Sequence, residues 1–309
     1  MRKLPGQGGI TKKITTAIGK SNRAKFLKQV ESNFSNLLVK INPKESITME
    51  VVSFSSFNDF PEQLMSILSF VKYIGIPLKW TIYSDGSHTE TQRKQITSRF
   101  DFVTIESFDW EGVTTIEELC CNDLKPYHKY ILDYARNHAF GKRLFYYLNH
   151  PLNHPTLFID SDVLFYEKAN VFEILIKEDP KANGWYMPDN VWGCLDSRYV
   201  AIHSEQMYQV NAGLMFVLKR FDNYKKSLDF YKVLDCKYEY FSEQTIINIL
   251  LKENSFMPLT PKTFILDSGD QFDFSYLYHP KQMAVRHYTG PVRHKMWQKD
   301  YKWHLGLKN

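Results

Sequence analysis

Thr156, Leu157, Phe158 and Ile159 form a short continuous apolar run that leads straight into Asp160, Ser161 and Asp162. An apolar run without polar alternation reads as a strand buried on both faces, and such strands belong to parallel sheets covered by helices. In extended chain, residues two apart face the same side, so both carboxylates can reach one ligand. Ligands of open α/β sheets bind outside the C-terminal ends of the strands. A hard cation such as Mg²⁺ or Mn²⁺ needs only one or two carboxylates and completes its shell with water and substrate phosphates. The spacing therefore fits a metal-diphosphate site. The plain structural alternative is a turn in which either Asp binds backbone amides.

The rest of the chain supports the same architecture. Met49 to Phe54 is apolar and β-branched enough for a buried strand and carries the small polar residues Ser53, Ser55 and Ser56 at its end. Pro61 to Ile74 places Leu64, Ile67, Leu68 and Val71 at helical spacing before Gly75, and a second strand from Trp80 to Tyr83 closes on Ser84, Asp85 and Gly86. Strand, helix and strand in so short a span make a βαβ unit. Further on, the spacing predicts helices over Pro126–Arg136, Gly141–Leu148 and Ser242–Lys252 and a strand over Gly213–Leu218.

Composition excludes several classes. In a chain of 309 residues, 43% hydrophobic and 24% charged content match ordinary globular proteins rather than collagenous or disordered ones, and no run of 18 apolar residues can span a bilayer. Aromatic residues make up 15%, and their flat faces suit core packing, sugars and bases. Cys120, Cys121, Cys194 and Cys236 form no CxxC pair and read as reduced and structural. No signal peptide opens the chain, so the expected location is cytoplasmic.

The net charge of +5 is unevenly spread. Residues 1 to 30 hold eight bases and no acid, whereas the remainder carries 31 bases against 34 acids. We read residues 1–46 as a basic N-terminal arm or helical extension and 47–309 as a single catalytic domain. Such an arm either stays a solvated tail or makes weak peripheral contact with the anionic inner face of a membrane. Phe26, the single aromatic among the basic residues 1 to 30, argues against nucleic acid as a partner.

A second chemical feature is the segment Arg286 to Trp297, which contains His287, Gly290, Arg293, His294 and Lys295. A neutral imidazole can bind a divalent metal, Gly290 permits close backbone approach, and Arg293 or Lys295 can neutralise phosphate. From Lys281 onward there are seven bases and one acid, an anion-binding composition.

Together these pieces resemble the retaining glycosyltransferases of family 8, the glycogenin-like and bacterial galactosyltransferase-like enzymes of the GT-A fold. Four signals recur in order: Asp160-Ser161-Asp162, Asn211-Ala212-Gly213, Glu243-Gln244, and His287-Tyr288-Thr289-Gly290 before Lys295-Met296-Trp297. Ordered motifs are far more specific than any one of them. The resemblance implies a Rossmann-like, mostly parallel sheet flanked by helices. It also implies a nucleotide-sugar donor, such as a UDP-sugar, whose diphosphate is bridged to Mn²⁺ or Mg²⁺ held by Asp160, Asp162 and His287.

On the same resemblance Asn211 and Gly213 line the donor sugar pocket, and Gln244 stands near the anomeric carbon. Glu243 occupies the position where the family usually has Asp. Two residues, Arg293 and His294, intervene before the Lys-Met-Trp tripeptide, so either Arg293 or Lys295 meets the phosphate; keeping the tripeptide beside Trp297 favours Lys295. Ser53, Asp85, Lys142 and Gly290 complete the donor-binding candidates. The expected acceptor is a saccharide or glycolipid, with Trp185, Tyr186, Trp192 and Asp196 as residues suited to a sugar.

Two other readings belong to different classes. The string around Asp160 also looks like the opening motif of haloacid-dehalogenase-type phosphatases, with Asp160 as nucleophile; that family needs a later acidic motif, which Gly269-Asp270-Gln271-Phe272-Asp273 misses by one residue. The third reading is a non-catalytic sugar-nucleotide-binding protein.

Overall fold

The computed structural model describes residues 9–110, 122–177, 182–189, 194–203, 209–267 and 279–307. Cys120, Cys121, Trp192 and the Gly269–Asp273 candidate lie outside the described residues.

A seven-stranded sheet forms the centre. Its strands are β1 (Glu50–Ser55), β2 (Lys79–Ser84), β3 (Val103–Glu106), β4 (Thr156–Asp160), β6 (Gly184–Pro188), β7 (Val210–Val217) and β8 (Met257–Pro258), in the order β3-β2-β1-β4-β7-β6-β8. A smaller three-stranded sheet holds β5 (Val163–Phe165), β9 (Phe264–Asp267) and β10 (Val285–Tyr288), in the order β5-β10-β9. The pairs β1–β2, β2–β3 and β1–β4 are parallel. The sequence moves outward from β1 to β3 and then returns to the other side of β1 with β4, so the strand order reverses between β1 and β4. A crevice opens at such a point, beyond the C-terminal ends of both strands.

The expectation that β4 is buried on both faces holds. Leu157 and Ile159 join one apolar core, and Phe158 joins the other. The first core is covered by α1 (Gly9–Ile41), α2 (Phe60–Tyr73) and α3 (Glu90–Thr97), the second by α4 (His128–Asn137) and α5 (Ala139–Asn149). Of the later helices, α6 (Val171–Lys177) packs Phe172 into the first core, whereas α7 (Ser197–Val200), α8 (Lys225–Leu234) and α9 (Ser242–Glu253) pack on the second. Two short pieces close the described chain, α10 (Arg293–Lys295) and α11 (Tyr301–His304).

Local chemistry sets the boundaries. Pro61 sits in the first turn of α2, where a missing amide costs nothing, and Gly75 at φ 151° turns the chain out of the helix. Thr89 and Gln92 form a reciprocal capping box on α3. His138, in extended conformation, separates α4 from α5, and its ring caps α5 by accepting from the Phe140 amide at 3.2 Å.

Two expectations change. The strand predicted over Gly213–Leu218 begins earlier, at Val210, and runs antiparallel to both neighbours, β4 and β6. The basic arm, over Gly9–Ile41, is a docked helix rather than a solvated tail. Phe26 packs against Trp297 with ring centroids 5.1 Å apart, and the Asn22 side-chain amide donates to the Trp297 carbonyl at 3.0 Å.

Candidate active site

A cleft of about 480 Å³ opens beyond the end of β4, with Asp160, Asp162, Asn211, Gly213, Gln244, His287 and Arg293 among its lining residues. Asp160 ends β4, and Asp162 immediately precedes β5. Antiparallel pairing of β5 with β10 sets His287 opposite Val163, and the Tyr288 amide donates to the Asp162 carbonyl at 3.0 Å. That register carries the imidazole to the acids: His287 Nε2 lies 3.2 Å from Asp162 Oδ1 and 3.5 Å from Asp160 Oδ2. One ligand atom from each of the three residues falls within 4.8 Å of the others.

The next layer fixes the ring. Asn211 Oδ1 accepts from the Gly213 amide at 3.0 Å, which settles its side chain as the acceptor toward His287 Nδ1 at 3.1 Å. Nδ1 therefore carries the proton, and Nε2 is the nitrogen offered to a cation. Gly213 is required by contact rather than by backbone angle, because a Cβ there would overlap the His287 ring. Two carboxylates and a neutral imidazole, held this way, suit Mn²⁺ or Mg²⁺.

Two arginines, the buried Arg143 and the half-buried Arg293, balance the acids. Arg143, from α5, donates to both oxygens of Glu243 at 2.6 and 2.5 Å and also to Asp160. Arg293 donates to Asp162 Oδ2 at 3.0 and 2.6 Å and to Asp59 Oδ1, in the turn after β1, at 2.5 Å. Burial opposes ionisation of Asp162, but Arg293 and His287 outweigh it and bring its pKa down to about 2. Burial likewise opposes protonation of His287, yet Asp162 and Asp160 raise its pKa. Burial raises the Glu243 pKa, against the pull of Arg143. Burial, reinforced by Asp189, lifts the Cys194 thiol to about 12, so the sulfur in this cleft stays protonated.

Gln244, in the first turn of α9, is held at both ends. Its Nε2 donates to the Cys194 carbonyl at 2.8 Å and to Asp189 Oδ2 at 3.3 Å, and its Oε1 accepts from the Ala212 amide at 3.3 Å.

The structure thus gathers Asp160, Asp162, His287, Asn211, Gly213, Glu243, Gln244, Gly290 and Arg293 around one cleft. It does not bring Ser53, Asp85, Lys142 or Lys295 to its walls. Ser53 points into the core, where its Oγ accepts from Trp80 Nε1 at 2.9 Å and no surface remains exposed. Asp85 accepts from Ser87 in its own turn, and Lys142 donates to the Asp85 carbonyl at 3.1 Å. Lys295 is buried and makes no hydrogen bond or ion pair among the described residues. The acceptor candidates Tyr186 and Asp196 are buried, and Asp196 caps α7 by accepting from the Arg198 amide.

Arg143 and Asp189 line the cleft without having been singled out from sequence. Lys142 stands one position from Arg143, and successive helical residues point about 100° apart, so the basic pair marks the helix but not which member faces inward. Asp189 follows β6, whose aromatic residues gave no strand signal.

No family model and no curated protein sequence matches the chain. Solved structures do. The galactosyltransferase LgtC, in complex with donor and acceptor sugar analogs, superposes with a TM-score of 0.52 at 12% identity, covering 84% of this chain and 97% of that one. Mouse xyloside xylosyltransferase 1 gives 0.51 at 10% identity, covering 80% and 99%. The bifunctional glycosyltransferase WbbM gives 0.54 at 14%, covering 84% of this chain and 51% of its own. Strand order, direction and these superpositions together show that the chain has the GT-A fold of glycosyltransferases.

Proposed function

We propose that the protein is a metal-dependent glycosyltransferase that moves a hexosyl group from a nucleotide-diphosphate sugar, a UDP-sugar in the first instance, to a saccharide acceptor with retention of configuration. The observation that carries this reading is the convergence of Asp160, Asp162 and His287 on one point of the cleft that also exposes Gln244 and Arg293. A divalent cation on those three ligands supplies Lewis-acid stabilisation of the leaving diphosphate.

The chain's own residues do the rest. Asn211 holds the His287 ring so that Nε2 stays available, and Arg143 holds the Asp160 carboxylate in place. Arg293 is the preorganised counter-charge for the diphosphate, since its guanidinium lines the cleft and fits two phosphate oxygens at once. Gln244, with its amide fixed by three partners, faces the sugar as a neutral group. Glu243 is engaged with Arg143 through both oxygens, and the Cys194 thiol stays protonated, so neither is a ready nucleophile. This supports attack by the acceptor on the face from which the diphosphate leaves. The retention itself rests on the likeness to family 8.

A panel of nucleotide sugars with Mn²⁺, read as release of nucleoside diphosphate, tests the proposal alongside Asp162→Asn, which keeps the shape but loses the charge a cation requires. The variant should be inactive while still folded by circular dichroism, at a lowered melting temperature because Arg293 loses the charge it pairs with. Undiminished turnover by Asp162→Asn would sink the metal assignment. Release of inorganic phosphate from phosphomonoesters, with no donor cleaved, would favour the phosphatase reading with Asp160 as nucleophile.

A further inference from the structure

Helix α1 covers the core with one face and leaves an apolar stripe on the other. Thr15, Gly19, Phe26 and Val30 point inward. Gly19 lies so close to the His294 backbone that a Cβ there would stand 3.0 Å from its carbonyl oxygen. On the outward side Ile10, Ile14 and Ile18 are 78%, 55% and 44% exposed. Spacing of four keeps them in one row about 12 Å long. Lys13, Lys20, Lys25 and Lys28 are also exposed and have no ion pair among the described residues, whereas Arg23 is spent on Glu62 at 2.7 Å. The first acid of the chain is Glu31.

We propose that this outward face of α1 docks on an anionic lipid surface, with Ile10, Ile14 and Ile18 at the boundary between headgroups and acyl chains and the lysines on the lipid phosphates. Charge complementarity selects this occupant. An interfacial helix carries an apolar stripe and a lysine-rich flank on one element, and an anionic membrane surface receives both. A second copy of the chain would bury the isoleucines only by bringing two rows of lysines together. A nucleic acid would pair with the lysines and leave the isoleucines in water. No helix among the described residues is long and apolar enough to cross a membrane, so α1 lies on the surface. Through Gly19, Asn22 and Phe26 it is fastened to residues 294–297, immediately after Arg293, so docking fixes the cleft wall relative to the lipid.

The test is co-sedimentation of the full chain with phosphatidylcholine vesicles, with and without phosphatidylglycerol. Two variants are compared with the parent: the triple change Ile10→Ser, Ile14→Ser, Ile18→Ser, and the double change Lys13→Gln, Lys20→Gln. The parent should bind the anionic vesicles and not the neutral ones, and each variant should bind at least about tenfold more weakly. Melting temperature and turnover of soluble donor should stay at the parent value, because all five positions are exposed. Equal binding by parent and triple variant, or no binding by the parent, overturns the proposal. Concentration-dependent dimers that the triple variant abolishes assign the stripe to a second copy instead. The readout needs no catalysis, so an inactive enzyme that still binds vesicles refutes the transferase reading alone.

Discussion

Arg293 grips the same Asp162 carboxylate that faces His287, occupying Oδ2 through two hydrogen bonds while Oδ1 lies 3.2 Å from the imidazole. The carboxylate is thus shared between a permanent cation and the proposed metal position, and incoming metal and diphosphate compete for its two partners. Arg293→Gln should raise Mn²⁺ affinity in the absence of donor, read by calorimetry, because Asp162 is then left buried without its counter-charge. With donor present, the same variant should lose about 10² to 10³ in kcat. Lys295→Ala, at a residue that does not line the cleft, should change kcat far less; the opposite ranking would return the phosphate contact to Lys295.

Gly213→Ala places a methyl group where the His287 ring lies. The ring must turn away from Asn211, so metal affinity should fall about 10- to 100-fold, as expected when a ligand loses its orienting partner. Circular dichroism should remain that of the parent. A variant with unaltered Mn²⁺ binding would show that the ring is not held by this contact.

The buried pair Arg143–Glu243 should behave as a unit. Arg143→Met strands Glu243, which burial already pushes toward its neutral form, and should cost ~3–5 kcal/mol in denaturant unfolding. Adding Glu243→Gln to Arg143→Met should recover part of that loss. Simple additivity of the two single changes would mean that the pair is not coupled.

Acid should weaken the fold as the pH falls below the ordinary histidine range, because two buried histidines are held neutral. Burial lowers the pKa of His304 to about 3 and of His150 to about 4, with Lys72 and Lys79 adding to the effect. Both are bases depressed on folding, so the unfolded chain binds more protons from about pH 6.5 downward, and stability falls with pH through that window. Each contributes a slope of at most about 1.4 kcal/mol per pH unit. His287, whose pKa is raised, acts the other way and only above about pH 6.5. Melting temperatures from pH 7 to pH 5 should therefore drop, and His304→Phe should flatten the profile; an unchanged slope would count against a neutral buried His304.

What the sequence revealed was local. The strand ending in Asp160 and Asp162 was legible because an unbroken apolar run and a two-residue spacing act within a few positions. The direction of β7 was not, since a strand buried along its whole length reads the same either way in the sheet. Ser53 was a donor-binding candidate as a small polar residue near a strand end, yet register turns it into the core against Trp80. The helix α1 gave no one-sided signal because apolar residues lie on both its inner and outer faces. His287 and Arg293 reach the acids only through pairing across more than a hundred residues, which spacing cannot show.

The packing of Phe26 against Trp297 joins the start of the chain to its far end. During synthesis at ~5–20 residues per second, α1 waits roughly ten to fifty seconds for the segment that carries Trp297. The nascent protein meanwhile carries Asp160 and Asp162 without His287 or Arg293, so the cleft cannot assemble on a partly made chain. For that interval α1 has α2 beside it, through Arg23 and Glu62, but the ring of Phe26 lacks its partner Trp297. The seating of α1 and the completion of the cleft therefore await the same late event, the arrival of residues 287–297.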